Sequence, residues 1–148
     1  MAQAGRRTGF ALIEVMIALV IVAITTSYAL ASYRRYVLRS NRIEAVQALL
    51  AAAAEQEKFH LARGRYTDRL DSGYDEDPPG LPVASISPHR KFGLTIAFAD
   101  AARFRIVATP LEGGGQDDDL DCRKFSIDES GRREAVGASG NDSSSRCW

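Results

Sequence analysis

Residues 9–33 read GFALIEVMIALVIVAITTSYALASY. From Phe10 to Tyr33 the chain carries one charge, Glu14, and neither Gly nor Pro. A helix crosses a bilayer with about 20 apolar residues, so this run is long enough. Leu12, Ile13, Val15, Met16, Ile17, Leu19 and Val20 fall on every side of such a helix. That distribution suits lipid or the inside of a bundle, not the flank of a globule. Glu14 is the exception. A carboxylate within a spanning helix costs about 2.5–3.5 kcal/mol on insertion scales and marks a functional position. It lies roughly 6 Å along the axis from Phe10, at about 1.5 Å per residue, so it is shallow.

On the N-terminal side, MAQAGRRTG holds Arg6 and Arg7 and no acid, which favours leaving it in the cytoplasm. On the other side Arg34, Arg35, Arg39 and Arg42 crowd the chain. The charge bias is weak across a long translocated domain, so the predicted orientation is N-terminus in, domain out. An ordinary secretory signal, cut after Ala29-Leu30-Ala31 to release Ser32, is the competing expectation. The carboxylate inside the core and the length of the run argue against it.

A short basic leader, Gly9-Phe10, three apolar residues, Glu14 and a long apolar run occur in that order. This closely resembles the class III signal of type IV pilins and type II secretion pseudopilins. The resemblance implies that a prepilin peptidase cuts after Gly9, that Phe10 becomes the N-methylated first residue, and that Glu14 stays in the mature subunit. It implies three parts: leader 1–9, a transmembrane and filament-core half-helix 10–33, and a periplasmic or extracellular head 34–148. In this family the glutamate neutralises the amine of a neighbouring subunit, or of its own chain one helical turn away. Removing one partner of a buried pair costs about 3–5 kcal/mol, enough to set register on docking. Many major pilins carry a proline in this half-helix that helps it melt; none is present here.

The 148 residues leave room for one modest domain after the apolar run. Formal net charge is zero, and loss of Arg6 and Arg7 would leave about −2, which gives no overall case for a nucleic-acid partner. Cys122 and Cys147 are the two cysteines. In an exported domain they should pair, closing a loop worth roughly 3–4 kcal/mol in the chain-entropy model. Without CxxC spacing, a reactive thiol pair is the weaker alternative.

From Arg34 to Arg63 there is again no Gly or Pro, and Ile43, Val46, Leu50 and Ala53/Ala54 recur at helical spacing. The helix should continue to Gly64, a C-terminal glycine stop, with Thr25-Thr26-Ser27 its weakest point. The segment FHLARGRYTD adds a resemblance to PilE-type minor pilins of Gram-negative bacteria, in which Phe59 and Tyr66 seal the helix top. Residues 70–89, rich in proline and acids, read as an exposed connector. Phe92–Ala99, Arg103–Thr109, Cys122–Asp128 and Arg133–Val136 alternate as strands. The expected fold is α+β: a long N-terminal helix laid, through its Ile43–Ala54 side, on a small antiparallel sheet.

Asp117, Asp119, Asp121 and Asp128 sit at positions one, three, five and twelve of a calcium loop, but Cys122 replaces the required glycine. A solvated acidic turn is the expectation, and no metal or other cofactor is predicted. His60 and His89 have no nucleophile elbow, phosphate loop or HExxH around them, so no enzyme is predicted. The resemblance therefore implies a structural minor pilin supporting pilus biogenesis and pilus-dependent motility or adhesion. Its partners would be other pilin subunits, the prepilin peptidase, the inner membrane and the assembly machinery. The subunit would pass from inner membrane to extracellular pilus. Two alternatives stand behind this: a type II secretion pseudopilin, and a pilin-like DNA-uptake receptor whose head carries a basic stripe from Arg103, Arg105, Arg123 and Lys124.

Overall fold

A computed structural model describes residues 12–148. The element order is α1 (Leu12–Arg63), β1 (Phe92–Ala99), β2 (Phe104–Pro110), β3 (Lys124–Asp128), β4 (Arg133–Val136) and a short α2 (Ser144–Cys147). The chain divides into two compact units, one ending at Val37 and the other running from Leu38 to Trp148. In the first, every described residue through Tyr36 is exposed. The Thr25 and Ser27 hydroxyls turn back onto the carbonyls of Ile21 and Ala23, at 2.9 and 2.8 Å. That satisfies them within the helix, so the polar step does not interrupt it.

The second unit is the head. Its helix ends where glycine permits: Gly64 adopts φ 70° and its N–H donates to the His60 carbonyl at 2.8 Å, a left-handed cap. The sheet is an antiparallel meander in the order β1-β2-β3-β4. Its register aligns Leu94 with Ala108, Ile106 with Ile127, and Phe125 with Ala135. These inward side chains join Phe92 and Phe104 against Ala45, Leu49 and Ala52 of α1 to form the core. Phe92 and Phe125 meet edge to face at 5.8 Å, a favoured aromatic geometry.

The buried helix face differs from the expected one. Arg42, Ala45, Leu49, Ala52, Gln56 and Phe59 are buried, whereas Ile43 is 58% and Leu50 38% exposed. In the alanine-rich stretch two adjacent faces are almost equally apolar, so periodicity does not separate them. The choice falls to Arg42 and Gln56, which the sheet side satisfies with hydrogen bonds: Gln56 exchanges bonds of 2.6 and 3.1 Å with the Thr67 carbonyl and N–H. The connector also differs from expectation, because Leu81 is fully buried and its N–H is held by the Arg69 carbonyl.

A bulge between Ile96 and Phe98 turns Phe98 to the outer face beside Arg105, 43% exposed. The two sheet edges are treated unequally. Asp142 bridges Val136, and the Ser143 N–H donates to the Ala135 carbonyl, so the C-terminal segment lies along β4. On β1, Ser85 and Ser87 bond to Leu94 and Phe92 only, covering the first half.

The face assignment is testable by chemical denaturation of the head. Leu49→Ala should cost about 2–5 kcal/mol as a core truncation. Leu50→Ala should cost less than about 1 kcal/mol.

Candidate assembly residue and nucleic-acid interface

Gly9 and Phe10 lie outside the described residues. Glu14 lies in the first turn of α1, exposed among the apolar side chains of the run.

The head has two ends along its strands. At the proximal end, helix residues Leu38–Glu44 meet the loops flanking Phe92, Pro110 and Lys124; at the distal end, Gln56–Gly64 meet the turns at Asp100 and Glu129. The four cations expected to form one stripe divide between these ends. Arg103 lies distally, 3.7 Å from Asp100. Arg105 is neutralised by Asp128 at 3.7 Å and Glu134 at 3.2 Å. Arg123 lies proximally, bound to the Asp117 carbonyl and 3.8 Å from its carboxylate. Lys124, also proximal, is exposed. The expected stripe does not form, because β2 and β3 run antiparallel and carry their arginines to opposite ends.

Two other cation groups emerge. Distally, Arg63, Arg65 and Arg69 surround the helix end, none of them with a carboxylate partner among the described residues; Arg63 donates instead to the Tyr74 carbonyl at 2.8 Å. The Tyr66 N–H donates to the Asp100 carbonyl at 3.0 Å, setting this segment beside Arg103. Below it, Tyr66 is held between His60, stacked at 4.5 Å, and Phe104, edge-on at 4.8 Å. The signal was in the sequence: three arginines in seven residues, RGRYTDR, directly after a helix stop. Proximally, Arg90 is exposed, and Lys91 donates to the neutral Gly114 carbonyl at 2.8 Å.

The acidic run is solvated only in part: Asp118 and Asp121 are exposed, but Asp119 is not. Asp119 is 3% exposed and takes a two-pronged bond from Arg42, at 2.7 and 2.8 Å. Gln116, fully buried, donates to Asp119 at 2.9 Å and to the Leu38 carbonyl at 3.0 Å, and accepts from Asn41 at 3.1 Å. Asp117 faces Arg123 and Asp121 faces Arg146, while Asp128 stands at the far end of β3. Asp119 and, at 4.0 Å, Asp121 both face Arg42, and Asp128 faces Arg105, so the aspartates are spread over several arginines and form no metal-holding cluster among the described residues. Cys122 and Cys147 form a disulfide with 5.9 Å between Cα atoms, bringing α2 beside this knot; the Arg146 carbonyl faces Arg42 at 3.5 Å.

Glu44 anchors the proximal turn: His89 donates its N–H to Oε1 at 2.9 Å, with Nδ1 3.3 Å from Oε2. Burial pushes the Glu44 carboxyl up, but the Ser87 hydroxyl, the His89 N–H and the His89 charge outweigh it and hold the carboxyl below its ordinary value.

Residues 31–126 match the family described as type IV minor pilin ComP, DNA uptake sequence receptor. The chain belongs to this family. Residues 5–30 match the prokaryotic N-terminal methylation motif. This ComP-family chain is thus a minor type IV pilin, with a prepilin signal ahead of a helix long and apolar enough to cross a membrane. Among solved structures, the non-core minor pilin PilV of Neisseria meningitidis has a TM-score of 0.51 at 18% identity, covering 69% of this chain and 89% of that one. Its fold is the type IV pilin fold seen here. A type IV pilin of Shewanella oneidensis gives 0.41 at 24% identity, covering 65% and 89%. No curated protein matches the chain.

Two measurements follow from the geometry. Arg42→Ala leaves Asp119 buried without its cation and should cost about 3–5 kcal/mol by urea unfolding, whereas Arg42→Met with Asp119→Leu should recover most of that loss. Glu44→Gln should be less stable than wild type at neutral pH. A carboxyl lowered in the folded state stabilises fully above its unfolded value near ~4.3 and loses that contribution as pH falls through the folded value. The stability gap should therefore close on acidification below about pH 4.3.

Proposed function

We propose that this minor pilin is a receptor for duplex DNA during uptake, held in the pilus by its N-terminal helix. The match of residues 31–126 to a family described as a DNA uptake sequence receptor carries the proposal. On sequence alone that role ranked behind a purely structural one. Prepilin peptidase would cut after Gly9 and methylation would cap Phe10. Glu14 would then pair with a neighbour's amine as the subunit leaves the inner membrane, head outward, for the filament.

A near-neutral head cannot attract DNA through net charge, so contact must be local. Arg63, Arg65 and Arg69, with Arg103 beside them, supply that locality. Each is at the end of the head farthest along α1 from the apolar run, and three of the four have no carboxylate to compete with a phosphate. Each phosphate contact releases counterions, so affinity falls with salt at a slope of about 0.9 per contact.

The test is binding of detergent-solubilised, processed chain to duplex DNA across a salt series. Arg65→Ala with Arg69→Ala should weaken binding and reduce the salt slope by about two; an unchanged slope rejects the distal site. Glu14→Gln should bind DNA like wild type yet be missing from sheared pili, which separates recognition from assembly.

A further inference from the structure

His60 has no motif of catalysis around it, yet its carbonyl, its ring face and its Nε2 all contact the loops that carry the distal arginines. The carbonyl accepts the Gly64 N–H at 2.8 Å. The ring stacks on Tyr66, with centroids 4.5 Å apart and planes 27° from parallel. Nε2 lies 3.1 Å from the Ala101 carbonyl oxygen, hydrogen-bond distance for the tautomer that carries its proton there. The first two contacts hold residues 63–69, where Arg65 and Arg69 are exposed. The third reaches across to the turn between β1 and β2, where Arg103 is exposed.

That turn is braced within itself. Asp100 donates its N–H to the Arg103 carbonyl at 2.8 Å, and its carboxylate accepts the Ala102 and Arg103 N–H groups, each at 2.7 Å. A turn braced in this way moves as one piece, so its placement depends on how it is fastened. On the β1 side the ladder is interrupted by the bulge between Ile96 and Phe98. Among the described residues, two hydrogen bonds fasten the turn to the helix end: Tyr66 N–H to the Asp100 carbonyl at 3.0 Å, and His60 Nε2 to the Ala101 carbonyl. A single bond is a pivot. Two bonds on successive carbonyls fix a direction.

We propose that His60 is a positioning residue of the distal DNA site. It fastens the turn that carries Arg103 to the segment that carries Arg65 and Arg69, so that these arginines reach the phosphates of one duplex together. His60 itself touches no DNA. Without the Nε2 bond the turn swings about the remaining bond from Tyr66, and Arg103 must be ordered anew each time DNA binds, which costs affinity. The inference rests on DNA recognition at the distal end.

The test is a double-mutant cycle on the salt dependence of duplex DNA binding by the detergent-solubilised, processed chain. Arg103→Ala should lower the salt slope by about one, the share of a single phosphate contact. His60→Phe keeps a ring on Tyr66 and removes the bond to Ala101; it should lower the slope by the same amount. The double variant should lose no more than either change alone, because both act through one contact. His60→Gln places an amide donor within reach of the Ala101 carbonyl and should keep the wild-type slope. A wild-type slope in His60→Phe or in Arg103→Ala overturns the proposal. So does a double variant in which the two losses add, and so does a His60→Gln chain that loses as much as His60→Phe. Arg65→Ala with Arg69→Ala separates the two levels of failure. If that pair leaves the slope unchanged, the distal DNA site falls and this role with it. If the pair lowers the slope by about two while the His60 cycle is additive, only the positioning role falls.

Discussion

The head depends on a buried charge that it cannot leave unpaired. Arg42 enters the core side of α1, where a guanidinium without a partner would be expensive. The loop between β2 and β3 must therefore bring Asp119 to it, and that requirement places Gln116 on the Leu38 carbonyl and Asn41. The C-terminal turn then packs beside the same arginine and is fixed there by the disulfide. One polar contact thus orders the helix base, the longest loop of the sheet and the chain end together. An apolar pair of the same volume would hold as firmly, but it would not dictate which loop atoms come to it.

Much of the fold was legible. The stop at Gly64, the four strands and the meander follow from local chemistry: a glycine free to take positive φ, alternation at period two, and short polar turns. The helix face was not legible, because Ile43/Leu50 and Ala45/Leu49 offer similar apolar stripes. What separates them is the long-range satisfaction of Arg42 and Gln56, whose partners lie far along the chain or across a turn. For the same reason the acidic run could not be resolved from spacing. Asp119 looks like its neighbours in sequence and becomes a core residue only once Arg42 faces it. The cation stripe failed differently. Arg103 and Arg123 alternate correctly, but the strands that carry them run in opposite directions, and composition does not record direction.

The outer sheet face of this head is largely self-neutralised by Arg105, Asp128, Glu134 and Arg132, whereas Arg63, Arg65 and Arg69 at the distal end have no ion-paired carboxylate among the described residues. In the filament proposed for this chain, charge at an end of the head would meet different surroundings from charge on its flank. The near-zero total conceals these local groupings. Net charge is therefore a poor guide to local contacts in this head.

The covering of β4 by the C-terminal segment has a consequence for biogenesis. Those residues occupy a row of backbone donors and acceptors that would otherwise template another strand, and the bond from Cys147 to Cys122 tethers them there. Before oxidation the tether is absent, and the β4 margin would be held by noncovalent contacts alone, while Ser85 and Ser87 still cover the first half of β1. A newly made chain is thus most prone to sticking to its own kind before its cysteines are joined. The same covalent link that closes the head acts as an edge guard, one that exists only once the two thiols have been oxidised.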